Sequence, residues 1–154
     1  MEDLIRAASA LDHFCQDRGW KYCFIGGLAL QYWGLPRLTR DVNLCLLTGF
    51  GNEAAFVDPL LGAFASRIAE ARQFAIDNRI LLLTTPEGIA LDISLGRIPY
   101  EAKVVERSRS VEFLPKLRFG SLARQRFAAP WVLSSRHRSD LHNLRPRFVV
   151  RRPS

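Results

Sequence analysis

Asp41 and Asn43 stand two positions apart in "RDVNL", and Asp92 stands in "ALDISLG"; both segments alternate as strands do. Residues at i and i+2 of a strand share a face, so Asp41 and Asn43 can grip one site together. A carboxylate from another strand, Asp92, can complete the cluster. Ahead of these residues a short apolar run, residues 21–25, enters Gly26-Gly27. Glycines there let the backbone approach a phosphate, and the amides opening the next helix favour an anion. The pattern suits nucleotide chemistry: Mg²⁺ held by the cluster would stabilise the entering and leaving oxygens of a phosphoryl or nucleotidyl displacement. Asn43 is the odd member. Its amide carbonyl can ligate Mg²⁺, but it is neutral and offsets less of the ion's charge.

The elements that must hold these residues follow from periodicity. Leu4, Ala8, Leu11 and Cys15 recur at helical spacing over residues 3–18, with Asp3 as N-cap and Gly19 as stop. Residues 21–25 read as a strand, and residues 28–33 as one or two helical turns closed by Gly34 and Pro36, with Tyr32 and Trp33 in the core. In residues 41–48, Asp41, Asn43, Cys45 and Leu47 point one way and Val42, Leu44 and Leu46 the other. Helices are expected over residues 52–64, capped by Asn52 and interrupted by Pro59 if the helix runs that far, and over 66–76. A hairpin turns at Pro86-Glu87-Gly88, between strands 79–85 and 89–95. In its second strand Ile89, Leu91, Ile93 and Leu95 form the buried face, which puts Asp92 on a small polar one. A helix over 100–107, with Glu101 and Lys103 on its exposed face, and a strand over 110–114 complete the pattern. The expected class is α/β (α+β): a small mixed sheet with helices packed on one side.

"GGLAL", "RLTRDVN" and "ALDISLG" together resemble the nucleotidyltransferase-fold family related to DNA polymerase beta, in its abortive-infection, toxin–antitoxin toxin branch. That family's pattern is Gly-Gly, a spacer, Arg-x-Thr-x-Asp-x-Asp, then a third Asp on a later strand. "LGRIPYE", residues 95–101, is similar to the segment that follows the third Asp. The resemblance spans residues 20–112. It implies a Mg²⁺-dependent enzyme that moves a nucleoside monophosphate from an NTP to an acceptor hydroxyl of RNA, tRNA especially, or of a protein. By the same resemblance Asp41, Asn43 and Asp92 are the catalytic metal ligands. Gly26 and Gly27 seat the triphosphate, and Arg37, Thr39 and Arg40 bind the nucleotide. An antitoxin protein is the implied partner. The second metal-binding position holds Asp in the family and Asn43 here, which implies weakened catalysis. The alternative reading is therefore a catalytically impaired remnant that binds nucleotide, RNA or an antitoxin.

At 154 residues and 48% apolar composition the chain is sized for one core. It holds no apolar run long enough for a membrane span. Three cysteines without CxxC spacing read as reduced, buried thiols of a cytoplasmic protein, not as a zinc site. His13, His137 and His142 have no ligand spacing. Charge is unevenly spread: residues 1–112 carry 12 Lys/Arg against 14 Asp/Glu, while residues 113–154 carry 10 against one. Two segments follow, a domain over residues 1–114 and a basic, poorly patterned tail over 115–154. Beyond residue 114 only residues 147–150 read as a strand, and the family's further helices have no counterpart. A C-terminus frameshifted or truncated relative to the family would account for that break. Such a tail could also make the chain a basic nucleic-acid-binding module, acting through phosphates without sequence specificity.

Overall fold

The computed structural model describes residues 1–32, 38–114 and 117–122, and from residue 113 on only the path of the backbone. The elements run α1 (Glu2–Gln16), β1 (Tyr22–Ile25), α2 (Gly26–Tyr32), β2 (Asp41–Leu47), α3 (Ala54–Ala63), β3 (Ala65–Ser66), α4 (Ala71–Asn78), β4 (Ile80–Thr84), β5 (Ala90–Gly96), α5 (Pro99–Glu106), β6 (Arg109–Leu114) and β7 (Leu117–Leu122). The class is α+β, with one mixed sheet in the order β3-β4-β5-β2-β1-β7-β6. β2 and β5 are parallel neighbours at its centre, flanked by the antiparallel pairs β1/β2 and β4/β5.

Strand alternation sorts the sheet into two faces. Tyr22 and Phe24, then Val42, Leu44 and Leu46, then Leu91, Ile93 and Leu95 build the main core with the apolar stripes of α1, α2, α3 and α4. Each fully buried leucine there contributes about 2–3 kcal/mol relative to exposure. Helix packing is one-sided for those four helices, as expected. α5 departs from it: Val104 and Val105 cover Cys23, Ile25, Cys45 and Leu47 on the other face. The odd-numbered residues of β1 and β2 are apolar at this end, so they demand a cover.

Two polar clusters tie helices to the sheet. Asp12, on the buried stripe of α1 and only 1% exposed, accepts hydrogen bonds from Tyr22 Oη (2.6 Å) and Gln16 Nε2 (2.7 Å). Burial and then the Asp12 contact push the Tyr22 hydroxyl far above its ordinary value. Arg79, in the left-handed region at φ 58°, ends α4. Its guanidinium pairs with Glu53 and donates to Thr48 Oγ1 (3.0 Å), Gly49 O (2.9 Å) and Leu95 O (2.9 Å), fastening the β2–α3 loop.

Several expectations are corrected. Asp3 lies in the first turn of α1, whose N-cap is Met1. Ser66 belongs to the short strand β3, and α4 begins only at Ala71. Pro59 lies inside α3 without ending it: the helix runs to Ala63 and buries Val57 and Leu60. Tyr32 is 40% exposed, not core, at the last position of the short helix α2. Glu101 is no idle surface acid: its Oε2 accepts the backbone N–H of Arg97 (2.7 Å) and Ile98 (3.0 Å), capping α5. The sheet also continues past residue 114, for β7 is inserted between β1 and β6. Trp33 and residues 147–150 lie outside the described residues. Among the described residues no helix is long and apolar enough to cross a membrane.

Candidate functional site

The parallel register of β2 and β5 makes Asn43 and Asp92 direct partners, and sets Asp41 against Ala90. Asp41, Asn43 and Asp92 therefore share the face away from the main core, as their alternation predicts. The register extends across the sheet: Ile25 opposes Asn43 on β1, and Leu82 opposes Asp92 on β4. One row of side chains, Ile25, Asn43, Asp92 and Leu82, thus crosses four strands, with Asp41 beside it. Asn43 and Asp92 are 8% and 9% exposed, while Asp41 is half-buried at the strand end.

The glycine pair meets this row from β1. Gly26 opens α2 at φ 66°, a conformation natural to glycine, and a Cβ there would come within 3.3 Å of Asn43 Cβ. A Cβ at Gly27 would come closer than 3.0 Å to both Cβ and Oγ1 of Thr39. The space freed by these two glycines is filled from inside the protein, by the side chains of Asn43 and Thr39. Thr39 is thereby pinned, and its Oγ1 donates to Asp41 Oδ1 at 2.8 Å. The chain Gly27–Thr39–Asp41 fixes the orientation of one carboxylate. Arg40 is exposed between Thr39 and Asp41. Arg37 lies outside the described residues.

Sequence reasoning missed one member of the site. Arg67 follows β3, and its backbone N–H donates to Leu82 O at 3.1 Å, so it continues the strand pairing one step beyond Ser66. Leu82 is the register partner of Asp92. The Arg67 side chain reaches across Leu82 and its Nη2 pairs with Asp92 Oδ1. No local pattern announces this contact, which joins residues 25 apart in sequence on strands that are not neighbours.

Among the described residues no group of three or more His, Cys, Asp or Glu could hold a metal ion. Asp41 and Asp92 are the two carboxylates of the set, and Asn43 is an amide. Two carboxylates and an amide carbonyl are still hard oxygen donors of the kind Mg²⁺ accepts while keeping several waters. The set fits one such ion.

Other features lie apart from this row. Cys23 and Cys45 are register partners beneath α5. Burial, then the nearby Glu101 carboxylate, pushes the Cys45 thiol up to about 12, and burial raises Cys23 well above the thiol range. Both pack against Ile25 and Val104. An open groove of 690 Å³ lies at the opposite strand ends, lined in part by Trp20, Lys21, Tyr22, Leu47 and Glu106, and includes no member of the row. No protein-family model matches the chain, and no curated protein matches it.

Proposed function

We propose that the chain is a nucleotidyltransferase-type domain, toxin-like and cytoplasmic, that transfers a nucleoside monophosphate from an NTP to an acceptor hydroxyl of RNA, tRNA especially, or of a protein. The observation that carries this reading is the row itself. Asn43 and Asp92 are register partners, Asp41 is two residues along the same face, and the Gly26 turn abuts Asn43. Asp41, Asn43 and Asp92 would hold Mg²⁺, which when bound supplies positive charge against the triphosphate and the attacking oxygen. Thr39 keeps Asp41 turned toward the site. Arg40, exposed beside it, is available to offset phosphate charge, and Gly26 and Gly27 bring the backbone close. In the reaction the acceptor hydroxyl gives up its proton to solvent as its oxygen bonds to the α-phosphorus, the bond to the bridging oxygen breaks, and pyrophosphate departs.

The test is transfer of label from an α-labelled NTP to a tRNA pool in the presence of Mg²⁺. Label transfer that is lost in Asp41→Asn and Asp92→Asn supports the reading. Transfer that survives both substitutions contradicts it.

A second reading has its own observation. Asn43 contributes no charge, and Asp92 is already paired with Arg67. A site neutralised twice over fits a silenced domain that retains the fold to bind nucleotide, RNA or an antitoxin partner.

A further inference from the structure

The geometry points to Arg67 as a resident counter-ion of the site, which pairs with Asp92 and thereby sets how readily a divalent cation can bind there. This inference rests on the proposed reading of Asp41, Asn43 and Asp92 as ligands of a cation.

Four observations support it. The Arg67 backbone is held beside Leu82 by its N–H bond to Leu82 O, so the side chain starts from a fixed point one strand away from β5. Its guanidinium reaches Asp92 across that strand, and the two side chains are only 21% and 11% exposed. Screening by water is weak at such exposure, so a charge on Arg67 is felt strongly by anything that approaches Asp92. Finally, Arg67 Nε is buried without a hydrogen-bond partner among the described residues. Among the described residues the guanidinium is thus held by Asp92 through Nη2.

A cation and Arg67 compete for the same carboxylate. With Asn43 neutral, Asp41 is the one of the two carboxylates that Arg67 does not hold. The direct prediction is that Arg67 weakens metal binding, which is opposite to what a merely structural residue would do. Loss of a structural residue loosens a site, whereas loss of a competitor tightens it.

The experiment titrates the full chain with Mn²⁺ alone, following free Mn²⁺ by its electron paramagnetic resonance signal, without nucleotide. Arg67→Gln should tighten Mn²⁺ binding at least about tenfold, the order expected when one close charge is removed from a partly buried site. Arg67→Lys keeps the charge, retains the fold if the glutamine variant does not, and should bind Mn²⁺ close to the native level. Adding Asp92→Asn should abolish the gain. If Arg67→Gln folds and binds Mn²⁺ no better than the native chain, while Asp41→Asn removes binding, the counter-ion role is wrong and the metal site stands. Binding by neither the native chain nor Arg67→Gln overturns both the counter-ion role and the metal-site reading.

Discussion

Replacing Gly27 by alanine tests why the glycine pair exists. A Cβ at position 27 would sit closer than 3.0 Å to Cβ and Oγ1 of Thr39 and 3.1 Å from its Cγ2, so Thr39 or the first turn of α2 must move. Overpacking of this kind costs about 1–3 kcal/mol, and loss of the Thr39–Asp41 hydrogen bond adds about 1 kcal/mol. Alanine returns about 1 kcal/mol as the better helix former. The net expectation is a loss of about 1–3 kcal/mol, which lowers the urea midpoint by about 1 M. Truncating Thr39 to alanine cannot relieve the clash, because Cβ is itself one of the two closest atoms; glycine at 39 can. The double variant Gly27→Ala/Thr39→Gly should therefore be more stable than the two single variants imply, by about 1–2 kcal/mol of coupling. The assay is urea unfolding followed by far-ultraviolet circular dichroism. A Gly27→Ala midpoint within about 0.2 M of native, or strict additivity in the double variant, refutes the reasoning.

Other consequences are open to the same kind of measurement. Tyr22→Phe removes a donor from buried Asp12 and should destabilise the chain by about 1–3 kcal/mol; a loss under about 0.5 kcal/mol would contradict the role given to that bond. Burial holds the Cys15 and Cys45 thiols up at about 12, against an ordinary value of 9.0. The folded state then keeps protons that the unfolded chain loses, so this stabilisation is complete below pH 9 and is lost as pH climbs from 9 toward 12. Urea midpoints should fall over that window, and a thiol reagent at pH 8 should label the cysteines only on unfolding; rapid labelling of the folded chain would be the contrary result. Arg79→Ala unfastens the β2–α3 loop from Glu53, Thr48, Gly49 and Leu95, and limited proteolysis between residues 48 and 53 should speed up several-fold. Unchanged cleavage would mean that the loop is held by something else.

The parts of the fold legible in the sequence are those decided locally. The stripe Leu4, Ala8, Leu11 and Cys15 needs only a helix's own period, and the alternation from Asp41 to Leu47 needs only a strand's. That alternation also placed Asp41 and Asn43 on one face, and the hairpin's alternation placed Asp92 on its polar side. What escaped depends on partners distant in the chain. β3 is two residues long and exists because the edge of β4 is there to pair with it. β7, "LRFGSL", carries an arginine and a glycine that mask its strand character, and its place beside β1 is set by the sheet. Arg67 is one of many arginines until β3 and β4 bring it to Asp92. The glycine pair was read as a phosphate seat; the packing of Thr39 and Asn43 against it adds a second demand for glycine, which only the folded chain reveals.

The central claim is that Asp41, Asn43 and Asp92 form a nucleotidyl-transfer site weakened by one neutral member. Restoring the carboxylate with Asn43→Asp tests it most directly. Neighbouring strands lie about 4.8 Å apart, so at an effective dielectric of about 20 a carboxylate charge at that spacing changes the interaction by about 3 kcal/mol for each unit of charge on a bound cation. If about 3 kcal/mol of that difference is expressed in the transition state, it corresponds to about a 100-fold change in rate. Native and Asn43→Asp chains would be incubated side by side with Mg²⁺, α-labelled NTPs and a tRNA pool. The account predicts slow or barely measurable labelling by the native chain and labelling faster by about 100-fold in the variant. A well-folded Asn43→Asp chain that labels no faster than the native one would contradict it.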